Sequence, residues 1–264
     1  PIKQGTITAI SIDAATELPI KNTEYTITDL ESNEVVQKLI TDKNGIAISK
    51  LLDYGTSYKI KQTNITSPYK LNNEEHHIEI NEENYAITTK NDWFEFVKSI
   101  HYTDDGSLEI TEVYIPVETV MQKPELPNGC EITSLTAVLN FYGFEVSKTE
   151  MADIHLPKQP FARKNGKLYG ANPYVAYAGD PRDGRGGFFS YAPPIVSAAN
   201  SYLDGVSGDY NPYNVSQSTR EKIIDYLNQG VPIVIWVPID LQKPRINYSW
   251  YFNDTEEYFD APVN

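Results

Sequence analysis

The chain has 264 residues, 40% hydrophobic and 22% charged, the composition of a folded protein with room for more than one core. Lys and Arg number 22 against 36 Asp and Glu, a net charge of −14. That balance excludes the electrostatic footprint of nucleic-acid binding and of docking on anionic membrane surfaces. No apolar run approaches the roughly 20 residues that span a bilayer, so no membrane insertion is expected in this segment. Cys130 is the single cysteine, which rules out an internal disulfide. The sequence opens at Pro1 without a signal peptide and stops at Asn264 after an acidic aromatic stretch, and both ends read as cuts in a longer polypeptide.

Composition shifts near residue 112. Residues 1–112 hold ten Lys, no Arg and three Pro, whereas residues 113–264 hold all five Arg and fourteen Pro. Two modules are the simplest reading. In the first, short alternating or β-branched segments recur at 5–12, 24–29, 35–41, 45–49, 56–63 and 76–80. Turn-forming clusters such as Glu31-Ser32-Asn33 and Asp42-Lys43-Asn44-Gly45 separate them. The pattern predicts an all-β sandwich over residues 1–90. Two further strands, 91–103 and 107–117, are predicted around the turn Asp104-Asp105-Gly106. The hairpin or linker at 91–112 belongs equally well to either neighbour.

Residues 113–264 read as mixed α and β. From 131 to 142, Ile132, Leu135, Val138, Leu139 and Tyr142 fall at helical spacing before Gly143. Pro193 and Pro194 suit the first turn of a helix running to Leu203. Ser218 and Glu221 have the spacing of a capping box for a helix ending before Gly230. The run 231–239, Val-Pro-Ile-Val-Ile-Trp-Val-Pro-Ile, predicts a buried strand with a proline near each end.

Several phrases of the first module occur in a fixed order: Gly5-Thr6-Ile7-Thr8, Leu18-Pro19-Ile20, Glu24-Tyr25-Thr26-Ile27, Thr41 to Gly45, Leu52 to Tyr58 and Ser67-Pro68-Tyr69. This order resembles the prealbumin-like, pilin-type (Cna-B or SpaA-like) domains of Gram-positive surface proteins. Many such domains carry an internal Lys–Asn isopeptide bond promoted by a Glu. By the resemblance, the Lys slot holds Ser11, two residues before Asp13, and the Glu slot after Tyr58 holds Gln62. With nucleophile and proton shuttle both replaced, no crosslink is expected, and the module is read as a spacer. His76 and His77 are adjacent, so a strand points them to opposite faces, and no metal site is expected there.

Cys130 stands at the start of a predicted helix. Unpaired N–H groups and the positive end of the helix dipole favour a thiolate there, so a lowered thiol pKa is expected. A lone cysteine also serves as a small buried hydrophobe. Gln122, eight residues upstream, offers an amide that could donate to an oxyanion beside the sulfur.

Residues 122–143, QKPELPNGCEITSLTAVLNFYG, resemble the active-site segment of bacteriocin-processing-like (C39-like) cysteine peptidases of papain-like fold. Leu156-Pro157-Lys158, Gly179-Asp180-Pro181, Tyr191 to Pro194 and 230–236 follow in that family's order. The resemblance implies an all-β prealbumin-like sandwich (1–90) followed by an α+β papain-like cysteine peptidase domain (113–264), truncated at its C-terminus. It makes Cys130 the nucleophile, with Gln122 and the Cys130 N–H forming the oxyanion hole. It also implies a general-base His and an orienting Asp or Asn after the 231–239 strand. His76, His77 and His101 precede the second module, and His155 lies in a connection. The base and its partner are therefore expected beyond Asn264, leaving this chain inactive.

The expected protein is a secreted or surface thiol peptidase of a Gram-positive bacterium, acting on a peptide or protein, without a cofactor and in association with the cell wall. The competing reading is a surface adhesin or interaction protein whose papain-like module only binds. An amidase or acyl-transferase acting on cell-wall peptides is a third. The 180–187 loop is expected to form a rim beside the cleft. Tyr248, Trp250, Tyr251, Tyr258 and Phe259 are expected in core and cleft wall, and Asp254, Glu256, Glu257 and Asp260 on a solvated face.

Overall fold

A computed structural model describes residues 3–104, 107–206 and 208–263. The chain divides into two compact units, Pro1–Tyr114 with Leu227–Val231, and Ile115–Tyr226 with Pro232–Asn264.

The first unit contains β1 (Gln4–Asp13), β2 (Glu24–Asp29), β3 (Val35–Ile40), β4 (Ile46–Ile48), β5 (Leu52–Asp53), β6 (Ser57–Asn64), β7 (Glu75–Glu79), β8 (Asn84–Asn91), β9 (Val97–Tyr102) and β10 (Leu108–Val113). In one sheet β1 pairs antiparallel with β4 and β5 and parallel with β8. The other sheet runs β3-β2-β6-β7, antiparallel throughout. Strict alternation along β1 sends Ile7 and Ala9 into the core, where they meet Tyr25, Ile27, Ile60 and Ile80. Each buried Ile contributes about 1.5–3 kcal/mol of transfer free energy. The unit is the all-β, prealbumin-like sandwich that the turn pattern predicts. β9 and β10 form an antiparallel hairpin; Asp105 and Gly106 of the predicted turn lie outside the described residues.

Toward its end β1 keeps its period but changes chemistry, because Ser11 and Asp13 are fully buried. Ser11 Oγ accepts from Asn91 Nδ2 at 3.1 Å and from Thr23 Oγ1 at 2.9 Å. Gln62 is also buried, its Oε1 taking the Asn72 N–H at 2.7 Å. The slot that the resemblance gives to an amine nucleophile thus holds a hydrogen-bonded hydroxyl. His76 and His77 alternate along β7, the first half-buried and the second exposed.

The second unit begins with α1 (Cys130–Phe141), which Gly143 ends at φ +86°. There follow α2 (Lys148–Glu150), a π-helical turn (Met151–His155), β11 (Lys158–Gln159), β12 (Ala162–Lys164), β13 (Lys167–Gly170) and β14 (Tyr177–Ala178). Next come α3 (Ala192–Leu203), α4 (Arg220–Asn228, in this unit as far as Tyr226), a 3-10 turn (Ile239–Leu241), β15 (Arg245–Phe252) and β16 (Tyr258–Val263). One core gathers Ile132, Leu135 and Leu139 of α1 with Met151, Tyr177 and Ile195. A second forms around Trp250 on the sheet β12-β13-β15-β16. The result is the mixed α/β unit that the sequence implies.

Two local expectations are corrected. The cap of α4 comes from Thr219, whose Oγ1 accepts the Lys222 N–H at 3.3 Å, rather than from Ser218. Residues 231–239 join no sheet among the described residues. Pro232 and Pro238 lack N–H donors, and Ile235 is 72% exposed. The other side of this extended run faces inward, where Trp236 packs on the α1–α3 core and donates from Nε1 to the Ser190 carbonyl at 2.9 Å.

Candidate active site

Cys130 is the first residue of α1. The turn that delivers it is held from three sides. Tyr177 on β14 donates its hydroxyl to the Asn128 carbonyl at 2.6 Å. Asn128 donates from Nδ2 to the carbonyls of Asp183 and Gly187 at 2.8 and 3.2 Å, and its N–H reaches the Pro181 carbonyl at 3.2 Å. The 180–187 loop is therefore docked onto the residues just before the cysteine. It is itself braced by Lys158 on Asp180 (2.9 Å) and by Arg182 on Asp153 (2.5 Å). Gly129 completes the turn because a Cβ there would lie 2.7 Å from Leu126 Cβ and 3.3 Å from Pro181 Cβ.

Gln122 comes to the same turn. Its Nε2 donates to the Pro127 carbonyl at 2.8 Å, three residues before Cys130. An amide carries two N–H donors, and this contact engages one of them. The Gln122 carbonyl accepts the Leu126 N–H at 3.0 Å and the Lys148 ammonium at 3.1 Å. Lys148 also sits 2.6 Å from the Glu125 carboxylate, a contact that holds Glu125 below the usual carboxylate range. Nothing in the sequence marks Lys148 as part of this arrangement, since only the α1–α2 packing brings it to residues 121–125.

The thiol departs from expectation. Burial pushes Cys130 up to about 12, and the charge and hydrogen bond of Glu131 push in the same direction. The backbone N–H groups at the start of α1 do pull it down, but by less. Cys130 is an exposed residue whose sulfur nonetheless occupies a desolvated position, 3.2 Å from Glu131 Oε2. The helix terminus is outweighed by burial and by a neighbouring carboxyl that is itself only 5% exposed. Burial also raises Glu131, opposed by N–H donors that include Ser190, at 3.1 Å from Oε1.

His155 is engaged elsewhere, with Nδ1 3.0 Å from Ser201 Oγ and its ring edge-on to Tyr202. His76, His77 and His101 belong to the first unit. Among the described residues no three His, Cys, Asp or Glu side chains converge as a metal site. Trp250 is buried among Phe161, Phe188 and Phe259, while Tyr248 and Tyr258 are exposed on the same sheet. No helix among the described residues is long and apolar enough to cross a membrane.

Comparison with known proteins matches residues 5–93 to the SpaA prealbumin-like fold domain. Over 117 residues the chain is 32% identical to the uncharacterized protein YvpB of Bacillus subtilis (strain 168). That match covers 44% of this chain and 42% of YvpB, so the chain spans less than half the length of this curated relative. Among solved structures, the Bacillus anthracis TIE protein is 23% identical, covering 40% of this chain and 24% of its own, with a TM-score of 0.32. The group B streptococcus pilus 2b backbone protein is 15% identical, covering 35% and 42%, with a TM-score of 0.31. BcpA, the major pilin subunit of Bacillus cereus, is 23% identical, covering 35% and 31%, with a TM-score of 0.30. Residues 114–256, more than half of the sequence and including Gln122, Cys130 and the docked 180–187 loop, match a peptidase family model, and the chain belongs to the Peptidase_C39 like family.

Proposed function

We propose that the second unit is a thiol peptidase that cleaves a peptide or protein substrate through an acyl-enzyme on Cys130. The observation that carries this reading is the placement of Cys130 at the head of α1, with the Gln122 amide anchored at the same turn. In the proposed reaction a general base takes the thiol proton and the sulfur attacks the scissile carbonyl. Gln122 Nε2 and the Cys130 N–H receive the oxyanion, and the base returns the proton to the leaving amine. Water then releases the acyl group. His155, the histidine of the second unit, is engaged with Ser201 rather than with Cys130.

The prealbumin-like unit supports a place for the protein outside a Gram-positive cell, at the surface or wall, where it would act as a spacer. The test is digestion of a peptide library by the full-length protein and by Cys130→Ala, read by mass spectrometry. Cleavage lost in the variant supports the reading; equal cleavage, or none by either, counts against it.

One observation favours a second reading, a surface adhesin with a non-catalytic papain-like module. The Cys130 sulfur lies 3.2 Å from the Glu131 carboxyl, and burial and that carboxyl both push the thiol up. On that reading the full-length protein binds a surface ligand equally well with Cys130→Ala and cleaves nothing.

A further inference from the structure

Glu131 is a charged residue type placed where the fold has little room for charge. It follows Cys130 in the first turn of α1, is 5% exposed, and uses both of its oxygens. Oε2 lies 3.2 Å from Cys130 Sγ, and Oε1 accepts the Ser190 N–H at 3.1 Å. Ser190 is fixed in turn, its carbonyl taking the Trp236 indole N–H at 2.9 Å. One carboxyl thus ties the sulfur to the segment leading into α3.

We propose that Glu131 is the positioning residue that governs the nucleophile: its carboxylate accepts the Cys130 S–H on one oxygen while the Ser190 N–H holds the other, so the resting thiol keeps both its proton and its direction until a base displaces the contact. The inference rests on the reading of Cys130 as nucleophile. Two acids 3.2 Å apart in a desolvated position ionise in sequence rather than together, and the carboxyl, the stronger acid, goes first. The other titratable groups around the pair leave this order intact. Tyr177 on β14 gives its hydroxyl to the Asn128 carbonyl, and Asp180 on the docked loop is paired with Lys158. The second oxygen makes the arrangement more than a chance contact, because the Ser190 N–H fixes the carboxyl in the orientation that meets the sulfur.

The experiment is the rate of iodoacetamide alkylation of Cys130 between pH 6 and pH 11, in the wild type and in Glu131→Gln. The amide keeps an oxygen for the Ser190 N–H but removes the charge and the acceptor facing the sulfur. The expected result is a profile displaced to lower pH in Glu131→Gln, with alkylation at pH 8 faster by at least about tenfold. A solely structural role for Glu131 would move the unfolding midpoint and not this profile. Superimposable profiles overturn the proposal. Should Glu131→Gln fail to fold, Glu131→Met takes its place, an uncharged side chain of similar length that keeps the sulfur buried: a profile displaced to lower pH supports the proposal, and a profile superimposable on the wild type overturns it. Alkylation needs no turnover, so a protein that cleaves no peptide would sink the peptidase reading while leaving this result standing.

Discussion

The Lys148 ammonium lies 2.6 Å from the Glu125 carboxylate and 3.1 Å from the Gln122 carbonyl, fastening the segment that carries the candidate oxyanion donor to the start of α2. Lys148 also donates to the Met121 carbonyl. Replacing it with Met should release residues 121–125, costing about 1 kcal/mol for the hydrogen bonds lost to backbone carbonyls. Glu125 is held below its ordinary range, so its contribution is present above the unfolded pKa and fades as the pH falls through the folded one. Urea unfolding at pH 7 and pH 3 checks both points: the wild type should lose more stability on acidification than Lys148→Met.

Gly129→Ala tests the close packing in front of the cysteine. The new methyl would meet Leu126 Cβ at 2.7 Å and Pro181 Cβ at 3.3 Å, and neither neighbour is the free end of a flexible side chain. A loss of about 1–3 kcal/mol is expected, together with altered alkylation of Cys130. An unfolding midpoint identical to wild type would show that the turn has more slack than these distances allow.

In the first unit Asp13 is fully buried and accepts four hydrogen bonds, from Trp93 Nε1 at 2.7 Å, the Ala15 and Thr16 N–H groups at 2.8 Å, and the Tyr69 hydroxyl at 2.9 Å. Burial pushes its carboxyl up, but these donors together pull it lower than the ordinary value. A depressed folded pKa gives stability that is present above about pH 4 and is lost as the pH falls further. Asp13→Ala should cost roughly 2–4 kcal/mol by stranding the donors. It should also flatten the acid limb of a thermal-melt series, and a variant melting within a degree of wild type across that series would refute this.

Ser11, where the pilin-type resemblance expects Lys, is hydrogen-bonded to Asn91 and Thr23. A hydroxyl in that place forms no Lys–Asn amide. The intact mass should equal that of the sequence with no ammonia lost, and a deficit of one ammonia would show an internal crosslink after all.

How much of this was legible in the residues depends on which forces set each element. The strands β1 and β2 and the helix α1 follow from local alternation and from Gly143, so they stand where the sequence puts them. The strand β8 escapes that reading because its buried face ends in polar Thr89 and Asn91, which break the apolar alternation. Its ladder is a parallel one with β1, seventy-eight residues away at the Thr6–Asn84 pair. Residues 231–239 mislead in the opposite way: their apolar run reads as buried, but the prolines remove ladder donors and Ile235 and Val237 face solvent. At the site, Cys130 and Gln122 were visible as residue types at a spacing. The influence of Glu131 was not, because a carboxylate in a first helical turn ordinarily reads as a favourable dipole partner on the surface. Only its burial and the Ser190 N–H turn it toward the sulfur.

The most direct test of the central claim is intact-mass analysis of the full-length protein quenched in acid during turnover of a peptide substrate. The account predicts a transient adduct equal to the acyl portion of the substrate, mapped to Cys130 and absent in Cys130→Ala. Steady hydrolysis with no adduct at Cys130, or with Cys130→Ala as active as the wild type, would contradict it.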